Sequence, residues 1–418
     1  MNITLYALGT RGDVQPMLAL AVGLRAAGHA VTFVAGSNFG PSVTAHGMRF
    51  APSADMQAMM QSPEGIAWVE EKSPFRQLKH MRHLLNLHAD ELLDSLIAPA
   101  QDADLLLSGF VAEPFAISLS EKFGKPVITA ALQPYRPTRS AAASLFAVIP
   151  GLDGPHNRWF GQFGLRMLWS VAADTARLLR ERLELQPQSR AEAIRRQIAT
   201  PVVHGFSPSV TPQPADWAAH QRVAGYWFLD EDPNWLPSPA LEDFLAAGPP
   251  PVYVGFGSMT NSDPAQTFAL VRGALREAGQ RGVISTGWSG ADAGAASDSE
   301  VYALEGAPHA WLFPRMAAVV HHGGAGTTAA GLRAGKPTFI IPHMADQPYW
   351  GRRVHELGVG AKAVTRHTLT QSVLASRIRQ IATGAGMRAK AGALGERIRA
   401  EDGIGAAVRL IEEWSRPA

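Results

Sequence analysis

The stretch from His321 to Gln347, HHGGAGTTAAGLRAGKPTFIIPHMADQ, constrains the fold more tightly than any other part of this chain. An apolar run, Ala317-Ala318-Val319-Val320, leads into two histidines and a set of glycines. Two threonines open a short helical pattern, and Gly335-Lys336-Pro337 ends it before a second apolar run, Phe339-Ile340-Ile341. Strand, glycine loop, helix and strand in that order is the repeating step of a parallel α/β sheet. Small residues in such a loop let a diphosphate approach the backbone, and the helix N-terminus supplies free N–H groups and a partial positive charge. His322, Gly324, Gly326 and Thr327 are therefore the candidate diphosphate-binding residues. The plain structural role for His322 is a satisfied buried histidine, and Thr327 and Thr328 are expected to cap the helix in either case. Beyond the second strand, Asp346 and Gln347 offer acceptors and donors that suit sugar hydroxyls.

The same rhythm opens the chain. Ile3 to Leu8 reads as a strand, followed by the loop GTRGDVQP. Pro16 suits a first helical turn, and the stripe Met17, Leu18, Leu20, Ala21, Leu24 continues the helix until Gly28. Val31 to Ala35 is the next strand. Ligands bind at the carboxyl ends of strands in open α/β sheets, and Asp13 is the only carboxylate in the loop there. Two roles suit it, a helix cap or a general base facing a cleft. Arg11 as a charge partner would lower its pKa.

Further strands are expected at Leu105–Leu107, Pro126–Ala130 and Val202–Phe206, with a helix near Pro114–Phe123. Residues 56–97 and 134–185 are helical and rich in Met and aromatic side chains, either as cover for the sheet or as a pocket wall for an apolar ligand. Proline becomes dense after Pro208, which places a linker near residues 207–222. A second α/β series follows, with strands at Val252–Phe256, Val283–Thr286 and Val301–Leu304. Ser258, in the partial glycine fingerprint Gly255-Phe256-Gly257, is a second candidate phosphate donor. The expected domains are residues 1–215 and 216–399, with 400–418 as a helical tail whose apolar face needs a partner.

The chain has no cysteine, which excludes disulfides, thiolate metal sites and a Cys nucleophile. Its net charge of +2 comes from scattered residues, so no nucleic-acid footprint is present. No apolar run approaches the ~20 residues of a membrane span, and residues 1–8 lack the basic start of a signal peptide. A cytoplasmic protein with at most peripheral membrane contact is expected. Asp102-Ala103-Asp104 matches a metal-binding DxD pattern but precedes a buried strand with no phosphate loop beside it. His80, His83 and His88 spread over more than one helix face and suit solvent better than a metal.

GTRGDVQP, VYVGFGSM, STGW, APHAWLFP and HHGGAGTTAAGLRAGKPTFIIPHMADQPYWGRRVHELGVG occur in this order. Together they resemble the sterol 3-beta-glucosyltransferases and their antibiotic-glycosylating relatives in the UDP-glycosyltransferase superfamily (glycosyltransferase family 1). The resemblance covers nearly the whole chain and is tightest over residues 251–361. It implies the GT-B fold: two Rossmann-like α/β domains facing across a cleft, the C-terminal helix crossing back to the first. It implies an N-terminal acceptor domain, a C-terminal nucleotide-sugar domain, inversion at the sugar and no metal or other cofactor. By resemblance, Asp13 is the catalytic base. Pro308, His309 and Trp288 hold the nucleobase side, while Ser258, His322, Gly326 and Thr327 contact the diphosphate. Asp346 and Gln347 bind the sugar. The ribose-gripping glutamate of the plant-type motif is replaced near Ala330, which leaves UDP and dTDP donors both open. The partners implied are a nucleotide sugar, foremost UDP-glucose, and a hydrophobic alcohol such as a sterol, lipid or polyketide. A nucleotide-sugar epimerase and a non-catalytic lipid-binding protein are the alternatives from other classes.

Overall fold

The computed structural model describes residues 1–71, 73–147, 149–229, 235–256, 264–285 and 297–416. The chain divides into two compact units, Met1–Leu229 with Glu401–Ala418, and Asp230–Ala400.

In the first unit the strands are β1 (Asn2–Tyr6), β2 (Ala30–Gly36), β3 (Arg49–Ser53), β4 (Leu105–Gly109), β5 (Val127–Ala131), β6 (Val202–His204) and β7 (Gln221–Val223). They form one parallel sheet in the order β3-β2-β1-β4-β5-β6-β7. The strand order reverses between β1 and β4, where Leu5 pairs with Leu107 and Tyr6 with Ser108. That crevice is where an open α/β sheet offers a ligand site. Helices α1 (Arg11–Ala26), α2 (Glu113–Phe123) and α3 (Pro155–Arg182) cover the sheet with four further helices between Met56 and Gln101. Met59, Leu84, Leu92, Leu93 and Leu96 from those four helices join Tyr6, Val34, Leu106, Phe115 and Leu179 in one core. For these residues, covering the sheet is the observed role.

Two expectations are corrected here. α1 begins at Arg11, so Pro16 lies inside the helix and not in its first turn. The cause is Thr10, which caps the helix seven residues before the apolar stripe becomes visible. The span expected as linker carries β7, whose hydrogen bonds to β6 keep it in the first sheet, and the unit runs to Leu229 and not to 215. Pro208, Pro212 and Pro214 lie in the irregular segment that leads to this edge strand.

The second unit has β8 (Val252–Gly255), β9 (Gly282–Ser285), β10 (Val301–Leu304), β11 (Ala318–His321), β12 (Thr338–Ile340) and β13 (Gly360–Ala361). These also run parallel, in the order β10-β9-β8-β11-β12-β13. Its order reverses between β8 and β11, with His321 level with Gly255. Helices α4 (Ala325–Arg333), α5 (Gln347–Glu356) and α6 (Ala385–Arg399) follow. α7 (Gly403–Trp414) returns to the first unit, where it packs on α1: a Cβ at Gly23 would collide with Ile404. Val408 and Ile411 are buried there, while Leu410 and Trp414 are only partly covered. Among the described residues no helix is long and apolar enough to cross a membrane.

Candidate functional site

In the first unit the site is built where β1 hands over to α1. The N–H of Thr10, the cap residue, donates to Asp13 Oδ2 at 2.9 Å, and the Thr10 hydroxyl donates to the same oxygen at 3.3 Å. This is a capping box with Asp13 at the third helical position, so the capping role expected for Asp13 is shared with Thr10. Gly9 has φ +146°, and a Cβ there would collide with the Asp13 carboxylate. Glycine is thus required both for the turn and for the space the carboxylate occupies. Asp13 borders a pocket at the sheet crevice lined by Leu8, Met17, Phe110, Leu132 and Gln133. Burial pushes its carboxyl above the usual carboxylate value, against the two Thr10 hydrogen bonds that pull it down. A carboxylate poised this way beside an apolar pocket can accept a proton from a hydroxyl placed there.

The wall of that pocket rests on a buried network that sequence reasoning missed. Glu113, fully buried at the start of α2, accepts from Thr129 Oγ1 at 2.8 Å, Tyr135 Oη at 2.9 Å and Arg136 Nη2 at 2.6 Å. Its other oxygen accepts from Gln197 Nε2 at 2.8 Å. The Tyr135 ring meets Phe110 edge-on at 4.7 Å, which links the network to the pocket lining. Asp104, from the DxD match, accepts the Asn2 N–H at 2.7 Å. It sits at the amino end of β4, the opposite edge of the sheet from Asp13.

In the second unit β11 ends at the fully buried His321, whose Nδ1 accepts the Gly323 N–H at 2.9 Å. The adjacent His322 turns over the start of α4. A Cβ at Gly324 would lie 2.7 Å from His322 Nε2, so only glycine lets the imidazole approach the helix end this closely. Gly324 is the cap residue, and α4 begins at Ala325 with no side-chain cap and no acid in its first turn. Thr327 and Thr328 therefore do not cap the helix as expected. They lie inside it, and the Thr328 hydroxyl donates back to the Gly324 carbonyl at 2.9 Å. Burial lowers the His322 pKa to about 4, and it holds His321 well below the usual histidine range, helped by His322 and His309. Both rings are neutral near pH 7, and His322 Nδ1 is buried without a hydrogen-bond partner.

The loop after β12 brings in His343, which the sequence reading passed over. Its ring meets Phe256 at 5.8 Å, and burial lowers its pKa to about 3 with further help from His322 and Arg366. Gln347 Oε1 accepts the N–H groups of His343 (2.7 Å) and Met344 (3.1 Å), across Ala345 at φ +52°. Asp346 Oδ2 accepts from Trp350 Nε1 at 2.7 Å. Each member of the expected sugar pair thus also shapes the loop that carries it. Pro308 caps a short helix, and the His309 ring stacks on Phe313 at 4.3 Å. Ser258 and Trp288 lie outside the described residues. Among the described residues no cluster of three or more metal-ligating side chains occurs.

Residues 3–138 match the glycosyltransferase family 28 N-terminal domain, and residues 295–405 match the erythromycin biosynthesis protein CIII-like C-terminal domain. The O-mycaminosyltylonolide 6-deoxyallosyltransferase of Streptomyces fradiae is 34% identical, over 99% of this chain and 98% of its own length. The chain belongs to the UDP-glycosyltransferase superfamily. The superfamily's sterol branch matches as well. The sterol 3-beta-glucosyltransferase of Arabidopsis thaliana is 32% identical over 100% of this chain and 68% of its own length. That of Aspergillus fumigatus is 35% identical over 98% of this chain, which spans only 30% of that protein. The fold is the GT-B fold of the superfamily's solved members. The kitacinnamycin glycotransferase superposes with a TM-score of 0.72 at 18% identity, covering 100% of this chain and 99% of that one. The calicheamicin glycosyltransferase CalG4 gives 0.71 at 18%, covering 99% and 98%.

Proposed function

We propose that this protein is an inverting glycosyltransferase that moves a hexose, glucose foremost, from a UDP-sugar to a hydroxyl of a hydrophobic acceptor such as a sterol, lipid or polyketide. The observation that carries this reading is the start of α4: an uncapped helix N-terminus, opened by glycines, with a neutral histidine over it and no acid in its first turn. That arrangement suits a diphosphate. In the reaction the acceptor oxygen bonds to the anomeric carbon while the bond from that carbon to the diphosphate oxygen breaks. Asp13 takes the acceptor's proton. The negative charge left on the diphosphate meets the N–H groups of α4, His322 and Thr327, donors that fill the electrostatic role a metal ion would otherwise supply. Asp346 and Gln347 hold the sugar hydroxyls.

A dTDP-sugar is the second donor reading. It is favoured by Ala330, which packs against apolar neighbours where a ribose-binding acid would stand. Incubation with UDP-glucose or dTDP-glucose and a panel of sterols and macrolactones, followed by mass spectrometry and nucleotide release, tests both. A hexose mass gain on an acceptor with release of nucleoside diphosphate is expected. An epimerised donor with unmodified acceptor would replace the transferase reading, and acceptor binding without turnover with any donor would leave a lipid-binding protein.

A further inference from the structure

The first unit carries an apolar surface that its core does not use. α3 buries Asn157, Gly161, Gly164 and Leu165 on one face. The opposite face presents Trp159 and Phe163, 59% and 45% exposed. One turn apart, their rings stack with centroids 6.4 Å apart and planes 12° apart, forming a single aromatic ridge. The loop feeding the helix leaves Ile149 and Leu152 exposed at 49% and 50%. Isolated exposed apolar residues are ordinary, but a stacked aromatic pair on one helix face, preceded in the chain by two further exposed large side chains, marks an interaction site.

The charge around the ridge identifies the partner. Arg158 and Arg166 are exposed on the same helix and join no ion pair among the described residues. Arg139 is exposed in the segment before the helix, its carbonyl accepting the Gly154 N–H at 2.8 Å and Asn157 Nδ2 at 3.1 Å. The local acids are Asp153 and Asp216. Both carboxylates are tied into the fold, Asp153 by the Ala141 N–H at 2.7 Å and Asp216 by Thr138 Oγ1 at 2.6 Å. An aromatic and aliphatic ridge flanked by unpaired arginines has the composition of a helix lying in a membrane interface, with the rings in the acyl boundary and the guanidiniums at the headgroups. A second copy of the chain fits worse, because a two-fold contact through this face would set arginines against arginines.

We propose that Trp159, Phe163, Ile149 and Leu152, with Arg158 and Arg166, dock the first unit on a bilayer surface that carries anionic headgroups. The proposal is independent of the sugar-transfer reading, since the contact needs neither donor nor acceptor. The test is flotation of the full chain with phosphatidylcholine vesicles, with and without phosphatidylglycerol. Flotation is expected only with the phosphatidylglycerol vesicles, weakened by salt. R158Q and R166Q should each weaken it about fivefold, and W159S/F163S at least about tenfold. All these side chains are exposed, so each variant should melt with the parent chain; R158Q/R166Q also keeps the ridge intact as a second check. Absence of flotation, equal flotation on both compositions, or unchanged flotation of W159S/F163S would overturn the proposal. So would a dimer in sedimentation that W159S/F163S converts to monomer, which would make the face a contact between copies.

Discussion

The two units place a helix start at the same point of the same kind of sheet and treat it in opposite ways. In the first unit, α1 begins beside the strand reversal and its positive end is occupied by its own Asp13 carboxylate, bonded back to the Thr10 N–H. In the second, α4 begins beside the corresponding reversal with no side-chain cap and no acid in its first turn. Around the first stands a carboxyl raised by burial. Around the second stand histidines that burial keeps neutral. A helix end that already carries its own carboxylate disfavours a second anion, whereas an uncapped end without an acid leaves its N–H groups and positive end open to one. The contrast fits the proposed division of labour, with proton acceptance in the first unit and anion binding in the second.

The strongest test removes the acid while keeping its shape. Asp13→Asn retains an oxygen for the Thr10 N–H, so α1 stays capped and donor binding stays intact, yet turnover should fall ~10²–10⁴-fold. Steady-state kinetics with parallel nucleotide titration separates these effects, and full activity in the variant would remove Asp13 from the chemistry. Next in size is the scaffold behind the first pocket. Glu113→Ala leaves Arg136 buried without its carboxylate and should cost about 3–5 kcal/mol in urea unfolding. Local hydrogen exchange should loosen in β4 and β5 while the second unit keeps its protection. A variant as stable as the parent would show that the Glu113 network does not hold this wall. In the second unit, His322→Ala should weaken nucleotide binding and lower the rate ~10²-fold together. A loss of rate with unchanged nucleotide affinity would erase the division of labour between the units.

How much of this was legible in the sequence depended on how local each device is. The β11–α4–β12 step was readable because its apolar runs, glycines and helix all fall between Ala317 and Ile341. The placement of His322 and Gly324 at the start of α4 was readable for the same reason. Misreadings arose where two signals share residues. Asp13 was taken alone as a cap candidate, although Thr10 three residues earlier completes a capping box. Thr327 and Thr328 resemble caps, but Gly324 already starts α4. β7 has three residues, two of them polar, so neither hydrophobicity nor length distinguishes it from a linker. Glu113 gave no signal, because its partners lie at positions 129, 135, 136 and 197 and only the folded sheet assembles them.

The smallest expected effect sharpens the same contrast through acid. A histidine whose folded pKa is depressed is neutral in the folded chain while the unfolded chain takes up a proton, so stability falls as pH drops below the unfolded value near 6.5. The second unit holds three such groups: His321, well below 6.5, His322 at about 4 and His343 at about 3. The first holds His204, lowered to about 3 by burial and by Arg136, its ring stacked on Trp217 at 4.4 Å. Each contributes at most about 1.4 kcal/mol per pH unit until its folded pKa is reached. Asp13 acts with the opposite sign. Its raised pKa means that the folded chain binds a proton more readily than the unfolded one, so the first unit recovers some stability as pH falls towards 3.8. Acidification from pH 7 to pH 5 should therefore loosen the second unit more steeply than the first. Hydrogen exchange compared between β11 and β12 on one side and β4 and β5 on the other measures this directly. Equal loss in both, or earlier loss in the first unit, would mean that the neutral histidines do not set the acid response of the fold.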